Sequence, residues 1–349
     1  LSLDGSLRAV NGILPIVCGL EELGIKKIIL PSANLKEASF IDNIEALGAD
    51  NLAQVVNYLN KEGNLKTLKQ NIDDFLYEDI NFEIDFNQVK GQLQAKKALE
   101  IAASGAHNVL MSGSPGSGKT MLAKAFMSIL PPLNKKEAIE LTKIYSISGL
   151  LDRKNPLVTK RPFRSPHHSA SAVGIIGGGT NPKPGEITLA HRGVLFLDEM
   201  VEFPRSTLEV LRQPLEDNVV TISRAQTSVQ YPANFILIGA MNPCPCGFLG
   251  DSKKPCTCSE YQINRYRSRL SGPLLDRIDI QIKVQRLEDD ELINTKTSSE
   301  SSFQIKERVI KARKIQLERY KNEGILTNGE LTPKLIKKYC KINESEKTF

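Results

Sequence analysis

The stretch Gly113-Ser114-Pro115-Gly116-Ser117-Gly118-Lys119-Thr120 constrains this chain more than any other. It satisfies G-x-x-x-x-G-K-[ST] in full, follows the apolar run Asn108-Val109-Leu110-Met111, and precedes a helical pattern from Met121 to Phe126. Strand, glycine loop and helix in that order make a phosphate cradle. The glycines let successive backbone N–H groups turn inward, and the helix N-terminus adds its positive dipole end. Residues 113–118 would line the cradle, Lys119 would reach the terminal phosphates, and the Thr120 hydroxyl would bind Mg²⁺. A chance glycine-rich turn would lack the flanking strand and helix. The chain is expected to bind a nucleoside triphosphate, ATP in the first instance.

At 349 residues the chain exceeds the usual size of a single core, so two or three domains are expected. Its 40% apolar and 25% charged residues are those of an ordinary globular protein. A net charge of +6 is compatible with a polyanionic partner. No apolar run approaches the roughly 18 residues that span a bilayer, so no membrane partner is expected. The chain begins at Leu1 inside an ordered-looking segment, which reads as a fragment. Cys18 and Cys340 stand alone, whereas Cys244, Cys246, Cys256 and Cys258 crowd together. A phosphate-loop chain is expected to be cytoplasmic, where disulfides rarely persist, so these four read first as metal ligands.

Residues 1 to about 62 read as a small α/β piece. Lys26 to Pro31 suits a strand, Asn34 to Phe40 a helix, and Asn51 to Leu59 an amphipathic helix with Leu52, Val55, Val56 and Leu59 on one face. Residues 63–85 turn polar and acidic without a clear period, as a linker would. From 86 to 285, helices at 91–103, 135–147 and 206–216 alternate with buried-strand runs at 193–197 and 235–240. That alternation around a phosphate loop indicates an α/β fold with a mostly parallel, doubly wound sheet. Arg161 to Pro184 reads as a long Pro-, Gly-, Ser- and His-rich loop, and 219–235 as a hairpin. Helical patterns return at 301–321 and 331–340.

Val194-Leu195-Phe196-Leu197-Asp198-Glu199 is a second nucleotide signature. Asp198 would hold Mg²⁺, and Glu199 would orient and deprotonate an attacking water, which favours hydrolysis over mere binding. Phe235 to Asn242 is a further core strand, and Asn242 at its end could touch the γ-phosphate or the water; alone it would read as a turn residue. Arg277, in Pro273-Leu274-Leu275-Asp276-Arg277-Ile278-Asp279 after the last core strand, suits charge stabilisation on a transferring phosphoryl group. The blander reading is a surface ion pair with Asp276 or Asp279. Cys244-Pro245-Cys246 and Cys256-Thr257-Cys258 offer four thiolates for a structural, tetrahedral Zn²⁺, with free or redox-active thiols as the alternative. His167 and His168 are alternative ligands or local contacts. Arg224, Arg265 and Arg267, with Arg269 and interleaved Tyr261 and Tyr266, could hold nucleic acid or be a solvated face.

Walker A, the 198–199 acids, the Asn242 strand end and the Arg277 segment follow the order of AAA+ ATPases. More narrowly, the chain resembles the magnesium-chelatase-like branch known as the YifB or ComM family. The resemblance is carried by Val89-Lys90-Gly91-Gln92, by His107-Asn108, and by Arg161-Pro162-Phe163-Arg164-Ser165-Pro166-His167-His168. It continues in 184–191, in Asn242-Pro243-Cys244-Pro245-Cys246-Gly247 and in 271–279. It implies Asn242 as sensor 1 and Arg277 as a finger on a neighbour's ATP, hence a homo-oligomeric ring, a hexamer. Residues 161–184 would then be the helix-2 insert and 219–233 the pre-sensor hairpin, both directed at a pore through which DNA passes. Residues 1–62 are similar to the last part of a Lon-protease-like domain, without a visible Ser–Lys dyad and with Ile16 where the protease carries its lysine. Residues 286–349 would be the start of a helical lid, cut before any sensor-2 arginine.

The implied function is an Mg²⁺-dependent ATPase ring acting on DNA, of the type that drives branch migration in natural transformation. The rivals are a chelatase-type ATPase subunit for metal insertion into a porphyrin, and a nucleotide-gated zinc scaffold with little turnover.

Overall fold

A computed structural model describes residues 1–76, 82–152, 154–179, 182–223, 228–287 and 300–341. The N-terminal piece runs α1 (Ile13–Glu22), β1 (Lys27–Pro31), α2 (Leu35–Ala38), β2 (Glu45–Ala49), α3 (Leu52–Leu59), β3 (Lys66–Thr67) and α4 (Asp73–Leu76). β2 pairs in parallel with β1 and antiparallel with β3. Asn51 caps α3 by accepting from the Gln54 N–H at 2.9 Å. The apolar face of α3 nevertheless buries none of its residues.

The acidic stretch 63–85, expected as a bare linker, supplies β3 and α4. Ile72 and Leu76 are buried there with Phe40, Leu133 and Leu141. Leu65, Leu68, Ile72, Phe75 and Leu76 are scattered among polar residues around β3 and α4, two elements of different period, so no single period betrays the two anchors.

The second unit begins with α5 (Leu93–Gly105), β4 (Val109–Ser112), α6 (Lys119–Ile129), α7 (Lys135–Ser148) and β5 (Phe163–Arg164). There follow α8 (Ala172–Ile176), β6 (Gly177–Gly178), β7 (Lys183–Pro184), α9 (Glu186–Leu189) and β8 (Val194–Leu197). Next come α10 (Arg205–Glu209), α11 (Arg212–Asp217), the hairpin β9 (Val219–Ser223) and β10 (Ser228–Pro232), and β11 (Ile236–Met241). α12 (Glu260–Arg267), α13 (Gly272–Leu275) and β12 (Ile280–Lys283) complete it, and a helix at Ser302–Tyr320 packs on α5 and α6.

The main sheet has the order β12-β4-β11-β8-β5, and every pairing is parallel. β4, β8 and β11 alternate strictly between two cores. Val109, Met111, Val194, Phe196, Ile236 and Ile238 meet α5, α6 and the 302–320 helix on one face. Leu110, Leu195, Leu197 and Leu237 meet the opposite layer. A strand buried on both faces must be apolar throughout, which is why these three runs were legible in the sequence.

The two edge strands differ from expectation. β5 lies inside the Pro- and Gly-rich stretch read as a loop, and it pairs with β8 over only two residues. β12 follows Arg277, so the arginine segment precedes the last sheet strand. The helix expected over 206–216 is split into α10 and α11.

α1 packs on α7, joining the two units. Buried Glu37 accepts from the Leu14 N–H at 2.9 Å and from the Ser146 hydroxyl, and Ser146 Oγ accepts from the Gly12 N–H at 2.9 Å. Among the described residues no helix is long and apolar enough to cross a membrane.

Candidate active site

β4, β11 and β8 end side by side, and their C-terminal ends bear the loop 113–118, Asn242 and Asp198. In open parallel sheets this is the end where ligands bind. The loop geometry explains its glycines. Gly116 and Gly118 have φ of 77° and 91°, in the left-handed region. A Cβ at Gly113 would lie 2.2 Å from the Val284 carbonyl oxygen and 2.8 Å from Ser117 Oγ. Ser117 Oγ is itself buried, with no hydrogen-bond partner among the described residues.

α6 starts at Lys119, whose ammonium donates to the Gly113 and Ser114 carbonyls at 2.7 and 3.0 Å and lies 3.5 Å from Asn242 Oδ1. Burial lowers its pKa, while Asp198 and Glu199 pull the other way. The Thr120 hydroxyl donates to Asp198 Oδ2 at 2.8 Å, so two oxygen ligands of the kind Mg²⁺ prefers converge at the helix start. The other Asp198 oxygen accepts from the Glu199 N–H at 3.0 Å.

Glu199 adopts φ 50° and ψ 44°, a left-handed conformation that costs a non-glycine residue roughly 1 kcal/mol. That turn ends the strand and leaves the carboxylate half exposed at the cleft. A cleft of about 510 Å³ is lined by residues 115–116, 118–121, Asp198, Glu199 and Asn242. A second, of about 290 Å³, lies across the loop between Val89, Lys90, Gln92, Met121 and Leu287.

His168, expected as an alternative metal ligand or a local contact, has its Nδ1 3.4 Å from Glu199 Oε2. The His167 ring lies 4.0 Å from the His168 ring, tilted by 35°, and bonds Ser169, so neither histidine joins the cysteines. No pattern in the sequence signals a histidine meeting a glutamate 31 positions away. Only the folding of the 161–184 stretch against β8 brings them together.

Arg277 is held at the other end of the sheet. Its carbonyl accepts from Asn108 Nδ2 at 2.9 Å, and Asn108 immediately precedes β4, whose far end carries the loop. A rise of about 3.3 Å per residue separates those ends by about 16 Å. The guanidinium pairs with Glu216 at 2.9 Å, not with Asp276 or Asp279. Asp279 instead meets His107 and the Asn108 N–H.

The four sulfurs of Cys244, Cys246, Cys256 and Cys258 lie within 4.8 Å of one another, and all four cysteines are free. The backbone N–H groups of Phe248 and Thr257 hold the Cys246 thiol well below its usual pKa.

Arg265 and Arg267 are exposed on α12, with Tyr261 beside them. Tyr266 is not available for stacking: it is buried in the core, and burial pushes its hydroxyl up to about 12. Arg269 pairs with Glu202 at 2.9 Å. Arg224 lies outside the described residues.

The profile described as "Magnesium chelatase, subunit ChlI" matches residues 85–292, and that of its C-terminal part matches residues 299–349. The chain belongs to the magnesium-chelatase-like family of ComM and YifB. It is 42% identical to the competence protein ComM of Haemophilus influenzae, over 100% of this chain and 67% of that protein. It is 40% identical to an uncharacterized protein of Mycobacterium tuberculosis, over 97% of this chain and 66% of that one. With YifB of Escherichia coli it shares 40% identity over 99% and 66% of the two chains. The chain thus spans about two thirds of the length of these relatives. The five-stranded parallel sheet with its phosphate loop is the AAA+ fold of this magnesium-chelatase-like family.

Proposed function

We propose that the chain is the ATPase core of a cytoplasmic, homo-oligomeric AAA+ ring, a hexamer, that couples Mg²⁺-dependent ATP hydrolysis to movement on DNA. One observation carries the hydrolysis reading: Lys119, Thr120, Asp198, Glu199 and Asn242 converge at the carboxyl ends of three adjacent strands. The loop N–H groups and Lys119 bind the phosphates. Thr120 and Asp198 would hold Mg²⁺, which when bound draws negative charge from the phosphate oxygens. Glu199 takes the proton of the attacking water, and Asn242 orients that water. Replacing Glu199 by Gln keeps shape and binding but removes the base, so ATP is retained while turnover falls about 10²- to 10⁴-fold. Turnover within threefold of wild type in that variant would sink the assignment.

The position of Arg277 supports the ring. Anchored about 16 Å from its own loop by the length of β4, it acts on the ATP of the adjacent subunit. Residues 161–184 and the hairpin 219–233 then serve as insert and pre-sensor elements at the pore.

The DNA role, branch migration of the ComM type, is supported by the exposed Arg265 and Arg267 and the net charge of +6. Residues 1–84 lie outside the chelatase profile but within the ComM alignment, which favours the DNA motor over metal insertion into a porphyrin. We read residues 1–62 as the end of a Lon-like, non-peptidase domain, with Ile16 half exposed on α1 where a catalytic lysine would stand. ATPase rates of the full-length protein with branched and single-stranded DNA test this. Neither stimulation nor low-salt binding would remove DNA from the account. The four thiolates hold a structural Zn²⁺.

A further inference from the structure

We propose that the cysteine module is a strut for the phosphate loop, so that a tetrahedral, thiophilic divalent cation in it sets the affinity of the loop for nucleotide. The inference rests on the zinc reading above and extends it from a local cross-link to control of the neighbouring site.

The module is built for such a cation. Cys244 Sγ lies 3.4 Å from Cys246 Sγ and 3.6 Å from Cys256 Sγ, and Cys246 lies 3.6 Å from Cys256. A disulfide would need about 2.05 Å. A tetrahedron with bonds of about 2.3 Å has edges of about 3.8 Å, close to the spacing found. Backbone N–H groups of Cys246 and Cys258 point at the sulfurs of Cys258 and Cys256 at 3.4 and 3.5 Å, an outer shell suited to thiolates. Four sulfurs leave no open position, so the cation holds structure and does no chemistry.

What it holds is the outer wall of the cradle. The module leaves β11 at Asn242, and Cys244 is fully buried two residues later. A turn closed by the Gly247 N–H on the Cys244 carbonyl, at 3.0 Å, presses Gly247 onto Pro115. A Cβ there would sit 2.8 and 2.9 Å from Pro115 Cδ and Cγ. The Asp251 carboxylate accepts from the Lys253 and Lys254 N–H groups at 2.9 and 3.0 Å, both at Oδ1, and the Ser114 side chain lowers its pKa. Pro115 is thus braced from outside by Gly247, with Asp251 acting on the neighbouring Ser114.

Residues 242–258 contain no helix or strand and bury only Pro243, Cys244 and Gly247. So little apolar burial does not fix a loop of this length, and a cation bound by four ligands does. Without it, Gly247 and Asp251 leave the loop, and the cradle must be ordered at the expense of nucleotide binding.

The test uses the full-length protein, its metal content, and titration with a fluorescent ATP analogue at fixed Mg²⁺. Removing zinc with a zinc-selective chelator is expected to weaken analogue binding about tenfold or more, with recovery on adding Zn²⁺ back. Cys244→Ser with Cys256→Ser reproduces the loss. Gly247→Val and Asp251→Ala keep about one cation per chain yet weaken binding at least about threefold, which separates the strut from the cation itself. Protein that loses its cation, keeps its far-ultraviolet dichroism and binds the analogue as before overturns the strut and leaves the metal site standing. A full-length protein that carries no thiolate-bound metal overturns both. A protein that binds no analogue with the cation in place removes the nucleotide reading instead.

Discussion

Replacing Arg277 by Ala separates a surface ion pair from a catalytic finger by several orders of magnitude. The guanidinium meets only Glu216 among the described residues, and the two side chains are 38% and 56% exposed. A pair that open to solvent contributes about 0–1 kcal/mol, so the melting temperature moves by no more than about 4 °C. The bond that anchors the segment uses the Arg277 carbonyl, which the substitution keeps. A finger, by contrast, contributes about 10³- to 10⁵-fold to turnover. The variant is therefore expected to fold, bind ATP and hydrolyse almost none. A mixing assay then asks where the arginine acts. In a ring assembled at random from equal amounts of Arg277→Ala and Glu199→Gln chains, about a quarter of the interfaces join an intact Glu199 to an intact Arg277. Two inactive preparations should together regain about a quarter of wild-type turnover if sites fire independently. Single-variant turnover within threefold of wild type refutes the finger, and a dead mixture of associating chains refutes its action on a neighbour.

Two further outcomes test the frame around the site. Glu37→Ala leaves the Leu14 N–H and the Ser146 hydroxyl without their acceptor at the seam between the units, and should cost about 2–4 kcal/mol in a denaturant titration. A loss under 0.5 kcal/mol contradicts a cooperative seam. Glu140 accepts from His191 and lies by Arg192, which bring its carboxyl down to about 2. The folded pKa lies below the unfolded one, so this stabilisation is complete above about pH 4.5 and is lost as pH falls toward 2. It amounts to about 3 kcal/mol. His191, kept neutral by burial, donates from Nε2 and accepts the Asn234 N–H at Nδ1, at 3.1 Å, so its own titration adds to the acid sensitivity. Glu140→Gln should flatten the stability–pH curve between pH 4.5 and 2; an unchanged slope there rules out the pair as its source.

The parts of the site legible in the sequence are those that local chemistry dictates. Glycines at 113, 116 and 118 mark places where a side chain would collide or a left-handed turn is needed. Apolar runs at 194–197 and 236–241 mark strands buried on both faces. What stayed hidden depends on tertiary placement. β5 and β12 are edge strands of two and four residues, too short for a period to rise above their Pro-rich or charged surroundings. Glu216 reaches Arg277, and His168 reaches Glu199, only because the sheet folds the intervening chain back. The left-handed backbone at Glu199 has no sequence signature, since it is imposed where a strand must end at the cleft.

β11 ties these observations together. At one end, the Leu237 N–H donates to Asn108 Oδ1 at 2.8 Å, while Asn108 Nδ2 holds the Arg277 carbonyl. At the other, the Met241 carbonyl accepts from the Gly113 N–H at 3.2 Å, Asn242 faces Lys119, and the cysteine module begins. One strand, paired on both sides and buried on both faces, therefore joins the anchor of the arginine to the floor of the phosphate loop. Displacing such a strand strains ladder bonds on both of its sides. Within one chain, β11 thus links Asn242 and the start of the cysteine module to the residue that anchors the Arg277 segment. Along its six residues β11 spans about 20 Å, the full depth of the sheet between these two anchors.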